Sequence, residues 1–428
     1  MRRWLANKWV RRGIAVGAAG VVVAVTVPYV KKHTSDLALS KKADDGGPKI
    51  KRNVTPPPLT GIDLTRIDAR GDVVTAPGPN DRVAELTLVP KYQRAANRLL
   101  REGAVPMGAV VLTDVKTGRI LVWANYSEDA PLTNIAAEAN SPSASVFKIV
   151  TGSALVEHGV GPTTKECYHG GKSRIDESEI ARNEKKDKYC ATLAEAMGRS
   201  LNVIFARLAN ENLDKDALTS IATRYGWGRE VPFDVPIAQS KIEFPDDPIE
   251  LARSAAGFWH TTLSPFQAVN LATTVANGGE MIRLKIVDKV RDAEGEMYEG
   301  ATARQVLDRA VDEKTARAVT TMMEATIESG TSYKSFHDRA GRSYLPNIRV
   351  AGKTGTLQEN KKDGYLYTWF VGFAPADAPE IAISVLAANH SSWKVKATTV
   401  GAEMMRVYFA DKGRPGVTDP LGAQAKRD

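Results

Sequence analysis

The residues with the clearest chemical potential are a serine and a lysine three positions apart, in Ser145-Val146-Phe147-Lys148. On a helix, residues at i and i+3 share a face, so this spacing places the Ser145 hydroxyl beside the Lys148 amine. A serine becomes an effective nucleophile when a base removes its proton, and a lysine can be that base when burial keeps its amine neutral. We therefore predict a nucleophile at Ser145 and a general base at Lys148. Ser145 would also lie in the first helical turn, where the helix dipole stabilises negative charge.

Two further motifs carry complementary groups. In Ser200-Leu201-Asn202, a tight turn could direct a hydroxyl and an amide into one cleft, where Ser200 would relay a proton and Asn202 would bind a peptide substrate. Lys353-Thr354-Gly355-Thr356 lies on a predicted strand. Its cation and hydroxyl could hold a carboxylate, and its glycine would let a substrate approach the backbone closely.

Each motif is weak evidence when taken alone, because the chain repeats two of them. Ser391-Ser392-Trp393-Lys394 has the same Ser-x-x-Lys spacing, and Lys116-Thr117-Gly118 is a second Lys-Thr-Gly. We expect both repeats to be solvated turns. The order of the other three is more specific, since Ser200 follows Ser145 by 55 residues and Lys353 follows it by 208. This ordered trio is typical of serine acyltransferases that bind penicillin.

Hydrophobic periodicity predicts which elements position these motifs. Apolar spacing and terminal glycines indicate helices, and short apolar or alternating runs indicate strands. The expected helices cover residues 143–157, 193–210 and 265–276, and the expected strands cover residues 109–112, 120–123, 349–356, 367–374 and 381–388. The folded part is thus expected to be helical in the middle and rich in strands at both ends.

The N-terminal region indicates attachment to a membrane. Residues 13–30 are an 18-residue run without charge, which at 1.5 Å per residue spans about 27 Å. Arginine and lysine pairs bracket the run, and no Ala-x-Ala cleavage site closes it, so we predict an uncleaved signal-anchor after a cytoplasmic tail of residues 1–12. The alternatives are a cleaved signal peptide and a buried core helix. Residues 31–85 are rich in proline and glycine and are expected to form a stalk, whose latter part at residues 59–74 could pack on a catalytic domain of residues 86–428.

The only cysteines are Cys167 and Cys190. If the domain lies outside the membrane, a disulfide between them is permitted, and it would restrain a polar segment that has little core of its own. The alternatives are two unpaired thiols and a zinc site that also uses His169. The zinc site is disfavoured because no paired Cys-x-x-Cys spacing exists.

Composition excludes several classes of protein. Apolar residues make up 43% and charged residues 25% of 428 residues, which is ordinary for a globular protein and excludes wholesale disorder or a polytopic membrane protein. The net charge of +8 is carried by the N-terminal region, because residues 1–60 hold 12 basic and 3 acidic residues. The remainder is close to neutral, so we expect no nucleic-acid partner.

Residues 86–409 resemble the transpeptidase domain of penicillin-binding proteins. The resemblance rests on the ordered trio and on further segments that match the family at residues 86–93, 114–118, 200–206, 263–268 and 368–375. One departure is Ala144, since the family usually has glycine before the nucleophile. The region between residues 30 and 86 is also too short for the pedestal domain of class B members, and no glycosyltransferase domain of class A members is expected.

The resemblance implies an α/β fold of the α+β type, with a central antiparallel sheet flanked by helices and an all-helical subdomain beside it. It implies that Ser145 attacks the terminal D-Ala-D-Ala of a peptidoglycan stem peptide, with Lys148 as base. Ser200 would relay the proton and Asn202 would hold the substrate.

The remaining roles implied by the resemblance concern the Lys-Thr-Gly strand. Lys353 and Thr354 would bind the substrate carboxylate, and backbone N–H groups of Ser145 and Thr356 would form the oxyanion hole. No metal or cofactor is implied, and β-lactams would be covalent inhibitors. The expected location is the bacterial cytoplasmic membrane, crossed once, with the catalytic domain outside it and a separate glycosyltransferase as partner.

Three alternatives share the fold or the motifs. A carboxypeptidase would release the acyl group to water instead of an amine. A class A β-lactamase needs a Glu-x-x-x-Asn loop after the Ser-x-Asn motif, whereas Glu179–Asn183 precedes Ser200. A non-enzymatic β-lactam sensor needs a cytoplasmic signalling portion, for which a tail of residues 1–12 is too short.

Overall fold

A computed structural model describes residues 61–171, 175–359, 364–390 and 394–422. The strands are β1 (Thr75–Pro77), β2 (Val83–Leu86), β3 (Met107–Asp114), β4 (Ile120–Ser127), β5 (Ser141–Pro142), β6 (Lys165–Tyr168), β7 (Tyr189–Thr192), β8 (Thr262–Leu263), β9 (Glu280–Ile282), β10 (Val287–Arg291), β11 (Met297–Glu299), β12 (Val306–Arg309), β13 (Ala351–Gln358), β14 (Leu366–Ala374) and β15 (Ile381–Asn389). The α-helices are α1 (Pro90–Glu102), α2 (Lys148–Glu157), α3 (Glu177–Ile180), α4 (Leu193–Arg199), α5 (Asn202–Asn212), α6 (Lys215–Arg224), α7 (Pro248–Ala255), α8 (Pro265–Ala276), α9 (Glu313–Glu328), α10 (Tyr333–Phe336) and α11 (Ala397–Asp411).

The central element is a five-stranded sheet in the order β13-β14-β15-β3-β4, in which every neighbouring pair is antiparallel. Its strands confirm the five expected ones, with ends that differ by a few residues. Every residue of β14 and β15 is buried, because helices cover both faces of the sheet. This double burial explains why the two segments read as continuous apolar runs instead of alternating ones.

Alternate residues of the sheet supply two separate cores. Val110, Phe370 and Ile383 belong to the core that contains the apolar side chains of α1 and α11. Val111 and Trp369 belong to the opposite core, which contains those of α8 and of the helices in the middle of the chain. The expected fold class, a central antiparallel sheet flanked by helices, is confirmed.

The helical part differs in detail from the expectation. The predicted helix over residues 265–276 is present as α8. The predicted helix over 143–157 begins as a 3₁₀ turn, Ala144–Phe147, which continues into α2. The prediction of one helix over 193–210 is wrong, because α4 and α5 are separated at Ser200. The helical part also carries the β6–β7 hairpin, so it is not entirely helical.

Folded structure extends into the segment that was expected to be a stalk. Strands β1 and β2 form a four-stranded sheet with β10 and β11, and Ile62, Leu64 and Val74 are buried. Part of residues 31–85 is therefore folded against the rest of the chain. Strand β2 pairs with β10, about 200 residues away in sequence, and such a long-range partner leaves no local periodicity. Within the described residues, no helix is long and apolar enough to span a bilayer, and residues 13–30 lie outside those residues.

Candidate active site

Ser145 lies in the 3₁₀ turn before α2, and an unusual backbone conformation precedes it. Ala144 has a φ of 48°, in the left-handed region that favours glycine. The turn is closely packed, since a Cβ added to Gly257 would lie 2.4 Å from the Ala144 carbonyl oxygen. The need for a positive φ gives a physical reason for the glycine that similar domains usually have at this position.

The Lys148 amine lies at the centre of a polar cluster within an apolar shell. Its Nζ is 2.9 Å from Ser145 Oγ, 2.7 Å from Asn202 Oδ1 and 2.5 Å from the carbonyl oxygen of Ala256. The side chain is completely buried, and the Phe205 ring lies 5.6 Å from Nζ. Burial lowers the pKa of Lys148 well below its ordinary value, and the positive charge of Lys353 lowers this pKa further.

These contacts match the needs of a neutral amine. A neutral amine has two N–H groups and one lone pair, and two of the neighbours of Lys148 can only accept hydrogen bonds. The Asn202 amide oxygen and the Ala256 carbonyl oxygen can each take one N–H. In the protonated state a third N–H donates to Ser145 Oγ, and in the neutral state the lone pair can accept the Ser145 proton at the same position. The geometry therefore suits removal of the Ser145 proton.

The Ser-x-Asn motif occupies the break between α4 and α5. Ser200 ends α4 in a left-handed conformation with φ 55° and ψ 44°. The N–H groups of Ser200 and Leu201 bond back to carbonyls of α4, which satisfies the end of that helix. Asn202 then begins α5. This tight turn separates the two side chains, so that Asn202 contacts Lys148 while Ser200 accepts a hydrogen bond from Lys353.

The Lys-Thr-Gly motif lies on β13, the edge strand of the central sheet. Lys353 is completely buried, and its Nζ donates to Ser200 Oγ at 3.0 Å and to the Thr354 carbonyl oxygen at 2.8 Å. Burial lowers the pKa of Lys353 to about 7. A Cβ on Gly355 would lie 3.2 Å from that of Ala144, so glycine allows β13 to approach the nucleophile turn. Thr356 is exposed beyond it.

Two cavities open at these motifs. One has a volume of about 840 Å³, and its lining includes Asn202 and Thr356 together with Trp259. The other has a volume of about 740 Å³, and its lining includes Ser200, Asn202 and Tyr189. Both give space for an extended substrate beside the Ser-x-Asn turn. The structure thus brings the residues of all three motifs together.

The second Lys-Thr-Gly motif and Glu179, the glutamate weighed for a β-lactamase, are not placed to act on Ser145. Lys116 and Thr117 are exposed in the turn between β3 and β4, where Thr117 donates to Asp114. Ser391 lies outside the described residues. Glu179 lines the smaller cavity, but its two carboxylate oxygens accept hydrogen bonds from the backbone N–H groups of Gly171 and Asp176. This carboxylate therefore stabilises the loop backbone, and it is poorly suited to activate a water molecule as a general base.

Cys167 and Cys190 are joined by a disulfide across the β6–β7 hairpin. Arg207 of α5 connects this hairpin to the site, because its buried guanidinium donates to the Cys167 carbonyl oxygen at 2.7 Å and to Asp187 at 2.9 Å. Hydrogen bonds from Arg207 hold the pKa of Asp187 well below its usual range. His169, which the disfavoured zinc site would have used as a ligand, shares a hydrogen bond with Asp187 at 2.5 Å. Among the described residues, no group of histidine, cysteine and carboxylate side chains is arranged to hold a metal ion.

Sequence reasoning missed two neighbours of the motifs. The Ala256 carbonyl oxygen accepts from Lys148, and the Thr331 hydroxyl lies 2.6 Å from that of Thr354. A backbone carbonyl leaves no mark on the residue type, and Thr331 belongs to no recognised spacing. Only the folded structure brings these groups to the site.

The fold and the pairing of Ser145 with the buried Lys148 together define a class, the active-site serine acyltransferases with the penicillin-binding protein and β-lactamase fold. The protein-family model that describes the penicillin binding protein transpeptidase domain matches residues 108–406. The chain belongs to this family.

Relatives with curated names agree with this assignment. The chain is 24% identical over 379 residues to the peptidoglycan D,D-transpeptidase PbpA of Mycobacterium tuberculosis, a match that covers 78% of this chain and 73% of the relative. It is 27% identical over 279 residues to stage V sporulation protein D of Bacillus subtilis, covering 62% of this chain and 41% of that protein.

Solved structures share the fold. The D,D-transpeptidase domain of a peptidoglycan glycosyltransferase from Eggerthella lenta is 26% identical, has a TM-score of 0.64, and the match covers 77% of this chain and 83% of that one. The imipenem acyl-enzyme complex of penicillin-binding protein A from M. tuberculosis is 24% identical, with a TM-score of 0.65 and coverage of 76% and 79%.

Proposed function

We propose that this protein is a peptidoglycan D,D-transpeptidase that crosslinks stem peptides through an acyl-enzyme on Ser145. The observation that supports this most directly is the fully buried Lys148 amine, which lies 2.9 Å from Ser145 Oγ and has a lowered pKa. A lowered pKa favours the neutral amine, and a neutral amine can accept the serine proton as the hydroxyl attacks.

In the acylation step, Ser145 Oγ bonds to the carbonyl carbon of the penultimate D-Ala while its proton passes to Lys148 Nζ. Backbone N–H groups of Ser145 and Thr356 stabilise the negative charge that develops on the carbonyl oxygen. The peptide C–N bond then breaks, and Ser200 relays the proton held by Lys148 to the leaving D-Ala amine, so that Ser200 keeps its hydroxyl proton and Lys148 becomes neutral again. Lys353, whose Nζ is 3.0 Å from Ser200 Oγ, supports this proton transfer.

Substrate recognition uses groups around the same turn. The Lys353 side chain and the Thr354 hydroxyl donate hydrogen bonds to the terminal carboxylate, and the Asn202 amide both orients Lys148 and binds the peptide. The acyl group then passes to an amine of a neighbouring stem peptide, which forms the crosslink. Transfer to water would instead make the protein a carboxypeptidase.

β-Lactams are expected to acylate the same serine, because their strained amide places a carbonyl and a carboxylate where the D-Ala-D-Ala terminus binds. The acyl-enzyme complexes of penicillin-binding protein A from M. tuberculosis with imipenem and penicillin G support this expectation for the fold. Slow loss of the β-lactam adduct is expected, since both oxygens of Glu179 are committed to backbone N–H groups.

Labelling with a fluorescent penicillin tests the catalytic assignment. One covalent adduct per chain, stable to denaturing electrophoresis, is expected on the peptide that contains Ser145. Ser145→Ala should abolish the adduct, and Lys148→Ala should slow its formation by orders of magnitude. The matched controls Lys116→Ala and Ser391→Ala should leave it unchanged. An adduct on another peptide, or none on well-folded protein, would refute the assignment.

Product analysis with purified glycan strands that carry stem peptides separates the activities on this fold. Crosslinked dimers support the transpeptidase, and released D-Ala without dimers would identify a carboxypeptidase. Turnover of β-lactam at many cycles per minute would instead indicate a β-lactamase. Loss of all three activities in a protein that still binds penicillin would indicate a sensor.

For location, we propose a single signal-anchor at residues 13–30, with the catalytic domain outside the cytoplasmic membrane of a bacterium. The Cys167–Cys190 disulfide supports this, since disulfides persist in oxidising compartments. Alkaline phosphatase fused after Thr60 should be active, and inactivity there with an active cytoplasmic reporter would overturn the placement. A separate glycosyltransferase would supply the glycan strands.

A further inference from the structure

The end of α9 lies directly against the end of α4, the helix that leads into Ser200. A Cβ on Gly330 would lie 2.1 Å from the Gly198 carbonyl oxygen, and one on Gly198 would lie 2.7 Å from the backbone of Ala325. Glycine at both positions therefore permits a backbone contact that no side chain would allow. Thr331 completes the junction, because its N–H donates to the Gly198 carbonyl oxygen at 3.0 Å.

The side chain of Thr331 extends from this junction to β13. Its Oγ1 lies 2.6 Å from Thr354 Oγ1, whereas the Gly198 carbonyl oxygen is 3.4 Å away. Lys353 contacts the backbone of Thr354, since its Nζ donates to the Thr354 carbonyl oxygen. Thr331 is thus attached by its backbone to the Ser200 side of the site and by its hydroxyl to the β13 side.

We propose that Thr331 is a positioning residue that orients the Thr354 hydroxyl toward a carboxylate and so favours substrates with a free C-terminal carboxylate. This role rests on the proposed function. Each of the two hydroxyls has one proton. When a carboxylate accepts the proton of Thr354, the bond between the hydroxyls must run from Thr331 to Thr354. The two hydroxyls then form a chain in which Thr331 donates to Thr354 and Thr354 donates to the substrate carboxylate.

The test compares two acyl-D-Ala-D-lactate-type ester substrates that differ at one end, one with a free carboxylate and one with a methyl ester. Thr331→Val keeps the shape and removes the hydroxyl. We expect it to lower kcat/KM for the free carboxylate by about three- to tenfold, the range for one hydrogen bond, mainly through KM. The methyl ester should change by less than about twofold. Thr331→Ser should restore the wild-type preference, and Thr321→Val, an exposed threonine on α9, should have no effect.

A double-mutant cycle with Thr354→Val separates positioning from direct binding. If Thr331 acts through Thr354, adding Thr331→Val to Thr354→Val causes no further loss on the carboxylate substrate. Additive losses, or equal losses on both substrates, would overturn the role. The penicillin adduct on Ser145 reports on the proposed function independently. Wild-type protein that forms no adduct and cleaves neither substrate would refute that function, and the role of Thr331 with it.

Discussion

Replacing Lys353 by methionine is expected to stabilise the fold, and to do so much more at pH 6 than at pH 9. Lys353 is completely buried, and its pKa is lowered from 10.5 in the unfolded chain to about 7. Folding therefore places an ammonium in a poorly solvated site whenever the group is protonated. Methionine is unbranched, apolar and of similar length, so it can occupy the space without this cost.

The sign and size of the pH effect follow from proton linkage. Below pH 7 both states hold the proton, and the full cost of burying the charge is present. Between pH 7 and 10.5 only the unfolded chain holds it, so the free energy of unfolding of the wild type rises with pH. The rise covers two pH units by pH 9, at about 1.4 kcal/mol each, and so amounts to about 3 kcal/mol. Lys353→Met abolishes this contribution.

Urea denaturation of the full-length protein in mild detergent at the two pH values measures the effect. The stabilisation caused by Lys353→Met should be about 3 kcal/mol larger at pH 6 than at pH 9. Lys353→Met also removes the hydrogen bonds to Ser200 and Thr354. This loss lowers the free energy of unfolding at both pH values, so it cancels when the two stabilisations are subtracted. Lys116→Met, at an exposed position, should show a difference below about 0.5 kcal/mol. An equal effect of Lys353→Met at both pH values would refute the buried-charge reasoning.

Three further predictions concern the nucleophile turn and the hairpin. Burial lowers the pKa of Lys148 well below its ordinary value, so the rate of acylation by penicillin should level off below the pH at which an ordinary lysine titrates, about 10.4; a rate that still rises tenfold per pH unit as far as that pH would contradict this. Ala144→Gly relieves a φ of 48° and loses chain rigidity, so thermal unfolding should show a net stabilisation of about 0–1 kcal/mol, and a clear destabilisation would count against strain at this turn. Replacing Cys167 and Cys190 by alanine should cost about 3 kcal/mol for a crosslink of residues 23 apart; labelling of two thiols in unreduced, denatured wild type would show that the crosslink does not form.

The sequence was sufficient to bring out the groups proposed to react, because their arrangement depends on short spacings. A spacing of three residues places Ser145 beside Lys148, and the two side chains are in contact although the turn is 3₁₀ instead of α-helical. The apolar runs also predicted the strands of the central sheet, since strands buried on both faces leave a strong local signal.

The details of the helical part could not be read in the same way. Residues 193–210 have continuous helical periodicity, yet the chain turns at Ser200 in a left-handed conformation. Besides the local hydrogen bonds that close this turn, a distant residue contacts it, because Lys353 donates to the Ser200 hydroxyl. Local propensity gives no account of a partner 153 residues away in sequence.

The sequence by itself therefore determined the family and the sheet, and it indicated the groups that we propose to react, through spacing and hydrophobic pattern. Only the tertiary structure decided that Lys148 and Lys353 are both completely buried, which is what lowers the pKa of each amine. It also decided that Thr331 meets Thr354 and that residues 75–77 and 83–86 join a sheet. The physical reason is that burial and long-range pairing depend on which surfaces meet in the fold, whereas spacing along the chain records only local geometry.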